Sequence, residues 1–357
     1  MKTAFRRDGH HGWHDERVAA AAEEDQVRVL VLGGSHFVGR AVVAEARRRG
    51  DEVTTLNRGL SATGDSDGPT IRVDRRDVTA LQAALADREW DAVVDTWSDE
   101  PAVVAASARV LADRAQHYGY VSSRSVHRWP LAPGADETAP VVDGDPDSED
   151  GSDYAAAKRG GELAVLRHFA GRALLPRPGI ILGPYEDVGR LPWWLGRMST
   201  GGRVLAPGPP ELPLQYVDAR DLAGWMLDAA RRRLTGAFNT VSHRGHATMR
   251  QLLVACNQVT GNRAELVWRS AEAVQAAGIA PWTELPIWVP AGTELEGLHA
   301  GDVSAAHAEG LRCRPVEETV ADTWHWLQTE GVPPGRPGRP PLGVDAEAER
   351  RALAQPD

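Results

Sequence analysis

Lysine and cysteine are almost absent from this chain of 357 residues. Of its 40 basic residues, only Lys2 and Lys158 are lysine, and the other 38 are arginine. The two cysteines, Cys256 and Cys313, are too few for a disulfide framework or a four-cysteine zinc site, which is typical of a protein in a reducing cytoplasm. No apolar run approaches the ~20 residues of a membrane-spanning helix.

A surplus of positive charge is also missing. Fifty acidic residues outweigh the 40 basic ones, for a formal net charge of -10, and no basic stripe interrupts the sequence. This balance argues against nucleic acid or an anionic membrane as the main partner. The apolar content of 42% and charged content of 25% are those of a globular protein long enough for two domains.

Both ends of the chain lack the patterns of folded segments. Residues 1–26 contain no apolar run, so they are predicted to be a disordered arm rather than a signal peptide. Residues 331–357 begin with GVPPGRPGRPPLG and are predicted to be a disordered, solvated tail.

Between these ends, short β-branched runs alternate with amphipathic segments. Strands are expected at 27–32, 51–56, 70–73, 91–96, 117–123 and 172–178, and helices at 37–50, 101–115 and 154–170. This order predicts an α/β fold: a Rossmann-type doubly wound parallel sheet over 27–183, with sheet elements returning around 214–241. Residues 184–330 are expected to form a smaller C-terminal α/β substrate lobe.

A glycine turn follows the first strand directly and opens the first helix. Such a turn lets backbone N–H groups approach a pyrophosphate, although an ordinary left-handed turn would have the same composition. His36 occupies the position of the middle glycine of the usual dinucleotide fingerprint. The predicted cofactor-binding residues here are Gly33, Ser35, His36, Phe37, Val38 and Gly39.

The ends of the following strands are expected to meet the rest of a dinucleotide. Asn57 and Arg58 stand where an acidic residue would select NAD, so NADP(H) is preferred and NAD(H) remains possible. Arg58 is equally consistent with a surface charge. Asp74 is expected at the adenine, with a helix N-cap as the alternative, and Arg75 and Thr96 complete the predicted set.

Tyr154 and Lys158 are four residues apart on a predicted helix, so their side chains leave the same face. A phenol is a poor acid–base group near neutral pH, and an adjacent ammonium favours its ionised form. Ser123, at the end of the fifth strand, could hydrogen-bond a substrate oxygen. A solvated lysine on a helix face is the ordinary alternative, but Lys158 is the only lysine of the predicted folded core.

These residues together resemble the short-chain dehydrogenase/reductase superfamily, in its extended and atypical branch, the NAD-dependent epimerase/dehydratase family. The resemblance covers about residues 27–330, through LVLGGSHFVG, YVSSRSV, YAAAK, RPGIILGP and QYVDARDLA. GGSHFVG with LNRG is most similar to the group of chloroplast stem-loop-binding proteins. The resemblance implies catalytic roles for Ser123, Tyr154 and Lys158, a nicotinamide-flanking segment with Pro178, Ile180 and Ile181, and a possible homodimer through 101–115 and 152–170.

Departures from the family pattern narrow the chemistry. Arg124-Ser125 replaces the Asp-Glu pair of sugar-nucleotide dehydratases, and Ile180 lies where epimerases usually have an asparagine. A dehydratase and a nucleotide-sugar substrate are therefore disfavoured. The predicted substrate-binding residues are Trp97, Arg124, His127, Tyr185 and Trp193. No metal site is expected, because His243, Arg244 and His246 have no cysteine or carboxylate beside them.

The sequence thus predicts an NAD(P)-dependent oxidoreductase or epimerase that acts on a secondary alcohol or ketone of a polar small molecule. Reduction and epimerisation stay open, because an epimerase performs an oxidation and a reduction on opposite faces. A non-catalytic RNA-binding or NADP(H)-sensing protein on the same fold is the alternative, against which the complete Ser, Tyr and Lys set argues.

Overall fold

The computed structural model describes residues 26–59, 68–332 and 342–354. A seven-stranded parallel sheet forms its centre, in the order β11-β6-β5-β4-β1-β2-β3. These strands are β1 (Arg28–Leu32), β2 (Glu52–Asn57), β3 (Thr70–Arg72), β4 (Trp90–Asp95), β5 (Ala115–Tyr120), β6 (Ala173–Arg177) and β11 (Gly236–Asn239). The predicted Rossmann-type α/β fold is therefore confirmed.

Alternate residues of the first strand pack on opposite faces of this sheet. Val29 and Val31 belong to one apolar core and Leu30 and Leu32 to another, and all four are at most 1% exposed. This alternation follows from the two-residue repeat of a strand. The sheet therefore needs a helical layer on each side.

Helices supply the two layers. One face carries α1 (Phe37–Arg48) and α6 (Ala219–Arg231), which pack on each other. The opposite face carries α3 (Pro101–Leu111) and α4 (Tyr154–His168), with the shorter α2 (Val78–Ala84) beside α3. Proline at the first position of α3 has the φ that a helix start requires.

The remaining elements form a lobe with a separate apolar core around Trp194 and Trp288. Three two-stranded sheets pair β7 with β10, β9 with β12 and β8 with β13. The strands are β7 (Ile180–Leu182), β8 (Gly202–Pro207), β9 (Pro213–Leu214), β10 (Tyr216–Asp218), β12 (Ala247–Thr248) and β13 (Ala264–Arg269). The helices of the lobe are α5 (Arg190–Thr200), α7 (Met249–Val259), α8 (Ala271–Ala276) and α10 (Val316–Glu330). The short helix α9 (Ser304–Ala308) packs instead on β11 of the central sheet.

The predicted disordered tail is wrong for its last part. Residues 346–354 form helix α11 (Ala346–Ala354), which packs on β8 and β13. Ala348, Ala352 and Leu353 are buried in the core of the lobe, and Glu349 bonds to Arg197. The charged composition concealed an amphipathic helix, because its apolar face consists mainly of small alanine side chains.

The predicted disordered arm at residues 1–26 lies outside the described residues, except for Gln26. Residues 333–341 and 355–357 of the predicted tail also lie outside them. Within the described part of the chain, no helix is both long and apolar enough to cross a bilayer.

Candidate active site

A cavity of about 390 Å³ opens at the carboxyl ends of the central strands. Loops after β1, β4, β5 and β6 meet there with segments of the lobe. This edge of a parallel sheet is where doubly wound folds bind their ligands. The cavity is lined by His36, Phe37, Val38, Gly39, Thr96, Ser98, Val121, Ser122, Ser123, Arg124, Ser125, Trp129, Tyr154, Lys158, Pro178, Gly179, Ile181, Val188, Arg190, Trp282 and Leu298.

A second depression, of about 570 Å³, lies at the opposite edge of the sheet. It is lined by residues at the amino ends of the strands, including Arg28, Trp90 and Ala115. None of the predicted catalytic residues reaches it. The site is therefore the smaller cavity at the carboxyl edge.

The glycine turn has the close packing that the sequence predicts. Gly33 and Gly34 have φ values of 121° and 95°, a region that favours glycine. A Cβ on Gly39 would lie 2.7 Å from the backbone nitrogen of Gly34, so only glycine lets α1 start this close to β1. The exposed imidazole of His36 stands at the N-cap of α1 and lines the cavity. The turn therefore fits a dinucleotide, with backbone N–H groups at the start of α1 available to a pyrophosphate.

Tyr154 and Lys158 reach the cavity from the first turns of α4. Tyr154 is 39% exposed, whereas Lys158 is 2% exposed. The Lys158 ammonium donates hydrogen bonds to the carbonyls of Trp97 (2.6 Å) and Val121 (2.7 Å) and lies 4.8 Å from the centroid of the Tyr120 ring. It is thus a fixed, buried cation, unlike the solvated lysine that was the ordinary alternative.

Ser123 follows β5 on the same side of the cavity. Its side chain caps the 3-10 helix Arg124–Val126 by accepting the backbone N–H of Ser125 at 3.1 Å. Its hydroxyl also lies 3.1 Å from the Ser125 hydroxyl. The structure therefore brings the three predicted catalytic side chains to one cavity.

A buried carboxylate, which the sequence analysis missed, holds the elements behind the cavity together. Glu162 accepts a hydrogen bond from Ser122 (2.7 Å) and a two-pronged one from Arg177 (2.8 and 2.9 Å), and Arg159 adds another. Burial alone would raise its pKa, but Arg177 and these hydrogen bonds hold the pKa below its usual value. The signal in the sequence was spacing, because Glu162 continues the four-residue interval of Tyr154 and Lys158.

The predicted adenosine-binding residues lie at the ends of β2 and β3, outside the cavity lining. The Asn57 amide oxygen accepts the backbone N–H of Gly59, Arg58 is exposed, and Asp74 accepts the backbone N–H of Arg76. Arg72, paired with Asn57 across the sheet, runs alongside Gly59. Gly33 and Ser35 lie in the turn itself, and Thr96, Pro178 and Ile181 line the cavity as predicted.

Arg75 is not placed to hold a cofactor. Its guanidinium is 5% exposed and forms two hydrogen bonds to Asp95, of 2.8 and 2.6 Å, and one to Ser107. Trp97 lies beside it, with the guanidinium carbons of Arg75 and Arg76 each 5.1 Å from its ring centroid. The Arg75 guanidinium is therefore engaged in an ion pair and the Trp97 ring in packing, and neither side chain lines the cavity.

Two polar residues predicted at the ligand have internal partners instead. His127 is fully buried between the carbonyl of Ala139 and the amide of Asn239, and burial lowers its pKa. Tyr185 donates a hydrogen bond to Glu330 under the guanidinium of Arg40. Both lie outside the cavity lining.

Two apolar residues predicted at the ligand also lie outside the cavity lining. Ile180 is 1% exposed within the core of the lobe, so only its neighbour Ile181 faces the cavity. Trp193 meets Trp194 edge-on and closes against Gly343 near the C-terminus. The alternation of side chains along β7 directs Ile180 into the core, and a distant segment of the chain packs against Trp193. The spacing of residues in the sequence reveals neither effect.

Tryptophans do line the cavity, but they are Trp129 and Trp282. The guanidinium carbon of Arg190 lies 4.8 Å from the centroid of the Trp282 ring. Arg190 begins α5, and its backbone N–H donates to the buried carboxylate of Glu186. Composition indicated aromatic ligand contacts, but not which tryptophans provide them.

Arg124, a predicted substrate-binding residue, lines the cavity, and it also joins the two parts of the fold. Its guanidinium donates to the carbonyls of Leu298 (2.8 Å) and Gly297 (3.1 Å) in the lobe. Burial lowers its pKa to about 10. Among the described residues, no carboxylate forms an ion pair with it.

Within residues 26–59, 68–332 and 342–354, no three or more histidine, cysteine, aspartate or glutamate side chains are grouped so that they could hold a metal ion. His243 is exposed and stacks on His307, with ring centroids 3.8 Å apart.

Comparison with known proteins relates this site to a family. The model of the NAD dependent epimerase/dehydratase family matches residues 29–240, which include the glycine turn, Ser123, Tyr154 and Lys158. No curated protein matches the sequence significantly.

Solved structures share the fold at low sequence identity. A putative epimerase from Burkholderia cenocepacia J2315 superposes with a TM-score of 0.65 at 19% identity, covering 85% of this chain and 98% of that one. The enzyme WbmH of Bordetella bronchiseptica, solved with NAD+, has a TM-score of 0.63 at 16% identity (85% and 99%). UDP-N-acetylglucosamine 4-epimerase from Bacillus cereus has a TM-score of 0.62 at 15% identity (85% and 100%).

Proposed function

Because the chain belongs to the NAD dependent epimerase/dehydratase family, we propose that it oxidises or reduces a secondary alcohol or ketone of a polar small molecule, with Ser123, Tyr154 and Lys158 as its catalytic residues. The membership makes it an enzyme of the short-chain dehydrogenase/reductase type with a nicotinamide dinucleotide cofactor. The observation that carries the proposal is that all three side chains line one cavity beside the glycine turn.

The residues that would hold the cofactor follow from the turn. Backbone N–H groups at the start of α1, from His36 to Gly39, would bind the pyrophosphate. Thr96, Pro178 and Ile181 would flank the nicotinamide half, since they line the same cavity. When bound, the dinucleotide accepts a hydride from a carbon atom or returns one to it.

The chain itself would handle the proton and the oxygen. Tyr154 exchanges the proton of the substrate hydroxyl, and its exposure in the cavity suits that contact. Ser123 hydrogen-bonds the same oxygen and orients it. The Lys158 ammonium, which two backbone carbonyls hold beneath the cavity, would place a fixed positive charge on the same face of α4 as Tyr154.

We extend the proposal to a preference for NADP(H). The end of β2 carries Asn57 and Arg58 rather than an acid, and Arg72 from β3 runs alongside Gly59. Two guanidinium groups near the adenosine ribose would attract a 2′-phosphate, which an acidic residue would repel.

The test measures turnover and cofactor binding separately. Tyr154→Phe should lower turnover by about 100- to 10,000-fold, the usual contribution of a general acid–base group, and leave dinucleotide binding unchanged. Turnover is followed by nicotinamide absorbance on a panel of polar ketones and alcohols, and binding by titration with NADPH and NADH. NADPH should bind more tightly.

Tyr185→Phe is the matched control, because this tyrosine lies outside the cavity lining, and it should keep full turnover. Full activity of Tyr154→Phe would disprove the mechanism. Native mass spectrometry of fresh protein distinguishes the two reactions: a retained dinucleotide supports an epimerase, and dependence on added NADPH supports a reductase.

A further inference from the structure

The two sides of the cavity differ in chemistry. The side of the central sheet carries the glycine turn and the polar side chains of the proposed mechanism, Ser123, Tyr154 and Lys158. The side of the lobe presents an apolar wall that consists of Trp129, Val188, Trp282 and Leu298. A substrate that fills the cavity therefore meets polar groups at one end and an apolar surface at the other.

The backbone that carries Trp282 is strained. The φ of Trp282 is 69°, and that of Ile287 in the same loop is 73°. This left-handed region is rare for bulky and β-branched side chains. Such residues persist where the surrounding structure fixes them, and they concentrate at ligand-binding sites. The loop 281–288 thus adopts an unfavourable conformation that places the Trp282 indole at the cavity.

Hydrogen bonds within the loop and from distant segments fix this conformation. The backbone N–H of Trp282 donates to the carbonyl of Trp288 at 3.1 Å. The indole N–H of Trp288 donates to the carbonyl of Gly208 at 2.9 Å. The indole N–H of Trp194 donates to the carbonyl of Pro286 at 2.8 Å. A ligand therefore finds the Trp282 ring already in place, which lowers the entropic cost of binding.

The wall suits a flat, apolar ring. The Arg190 guanidinium, which pairs with Glu186, lies over the Trp282 ring and limits its rotation. Aromatic rings in contact are more favourable than their buried area alone implies. The side chains of the apolar wall include no hydrogen-bond acceptor. The hydroxyl groups of a sugar would therefore lose water at this surface without an acceptor to replace it.

The size of the cavity limits the substrate. Its volume of about 390 Å³ is near the lower end of the roughly 300–1,000 Å³ of small-molecule sites. That volume must also admit the nicotinamide end of the cofactor, so it leaves room for about one ring.

We infer that the substrate carries a flat aromatic ring beside its reacting carbon, as an aryl ketone or an aryl-substituted secondary alcohol does. The ring contacts Trp282 and Trp129, and the oxygen lies at Ser123 and Tyr154. The substrate is thus polar at its reacting end and apolar at the other, and Trp282 determines specificity for the ring. The inference rests on the proposed function, since it takes this cavity as the substrate site.

Binding of matched probes to the NADP⁺-loaded protein tests the inference. Acetophenone and cyclohexyl methyl ketone have the same carbon skeleton, but only acetophenone has a flat ring. D-glucose and UDP-glucose are the sugar probes. In calorimetric titrations, acetophenone should bind about two- to tenfold more tightly than the cyclohexyl ketone, the usual gain of an aromatic contact beyond its area. It should also bind more tightly than either sugar probe.

Variants of Trp282 show whether this ring causes the preference. Trp282→Leu should make the two ketones bind equally, whereas Trp282→Phe should keep the preference for acetophenone. Trp268→Leu is the matched control and should also keep it. Trp268 is another partly buried tryptophan of the lobe, with the Arg250 guanidinium carbon 5.2 Å from its ring centroid, but it lies outside the cavity lining.

Titration with NADP⁺ shows that each variant is folded, and Trp129→Leu replaces Trp282→Leu if the latter does not bind the cofactor. Acetophenone binding no more tightly than the cyclohexyl ketone, absence of acetophenone binding, or tighter binding of a sugar probe would each overturn the inference. A preference that survives Trp282→Leu, or that Trp268→Leu also removes, would do the same.

Failure here is distinguishable from failure of the proposed function. The calorimetric test involves no turnover, so Tyr154→Phe should keep the preference for acetophenone. A substrate without a flat ring that still requires Tyr154 for turnover would refute the aromatic-ring inference alone.

Discussion

At the scale of single residues, some polar side chains at the edge of the sheet line the cavity, and others are buried and stabilise the fold. Asp95 and Arg75 illustrate the second group. Both residues lie at the ligand-binding edge of the parallel sheet, but Asp95 is fully buried. Its carboxylate accepts hydrogen bonds from Arg75, from the Tyr118 hydroxyl and from the backbone N–H of Trp97. Breaking such a pair leaves a buried guanidinium without its counter-charge.

Asp95→Asn is therefore expected to lower the free energy of unfolding by about 3–5 kcal/mol, measured by urea denaturation. The control is Asp91→Asn on the same strand. Asp91 pairs with Arg28, and the Arg28 and Asp91 side chains are 42% and 30% exposed. This variant should therefore lose about 1 kcal/mol or less of its free energy of unfolding. Equal losses of unfolding free energy in the two variants would contradict the interpretation that the Arg75–Asp95 pair stabilises the fold.

At the scale of elements, helix α4 carries the proposed catalytic side chains and a stabilising carboxylate on one face. Tyr154 and Lys158 reach the cavity, and Glu162 ties the same helix to Ser122 and Arg177. The ends of β5 and β6 are thus held in register with the helix that carries the proposed proton donor. Rigid support of this kind keeps reacting groups within the narrow geometry that catalysis needs.

Helix α11 contacts parts of the lobe that are about 150 residues away in the sequence. Glu349 accepts hydrogen bonds from Arg197 and from the backbone N–H of Leu205. Glu349→Ala should lower the free energy of unfolding by about 2 kcal/mol, because it leaves a buried backbone donor unpaired.

Thermal or urea denaturation measures this loss, and Glu347→Ala is the control. Glu347 lies two residues before Glu349, on the exposed face of α11, and pairs with Arg350 and Arg351. Its removal should therefore change stability by about 0.5 kcal/mol or less. An unchanged stability of Glu349→Ala would show that α11 does not strengthen the lobe.

At the scale of the whole molecule, His299 couples stability to pH. It is buried where the lobe meets the 215–216 segment; its Nδ1 accepts the backbone N–H of Gln215, and its Nε2 donates to the carbonyl of Ile287. Burial lowers its pKa to about 4. Below pH 6.5 the unfolded chain binds a proton at this residue more readily than the folded protein.

The contribution of His299 to stability is thus complete above pH 6.5 and is lost as the pH falls toward 4. Between these values, wild type should lose about 3 kcal/mol more of its free energy of unfolding than His299→Gln. Urea denaturation at a series of pH values measures the difference, and parallel curves for the two proteins would refute it.

Much of the fold followed from the chain alone, because strand and helix repeats of two and 3.6 residues are local properties. The glycine turn and the Tyr154–Lys158 pair could also be predicted from the sequence, because each depends on a short spacing with a definite geometry. Helix α11 was missed because its apolar face is built of alanines, whose contribution depends on the surface they meet.

The side chains that line the cavity on the side of the lobe were the part of the site hardest to predict from the sequence. Trp97 and Trp193 were predicted there, whereas Trp129 and Trp282 are present. Every tryptophan offers the same chemistry, and only packing between distant segments decides which rings face a cavity. The same holds for Arg75 and Arg124, identical side chains of which one closes an ion pair and the other lines the site.

The scarcity of lysine therefore has a different meaning after the structure. The sequence by itself determined that one lysine remains in the core, one helical turn after a tyrosine, because that relation is local. Only the tertiary structure decided what surrounds it: a cavity with two further cations and no acid in its described lining. Charge in a binding site depends on which loops converge at the edge of a sheet, and that convergence is set by long-range packing.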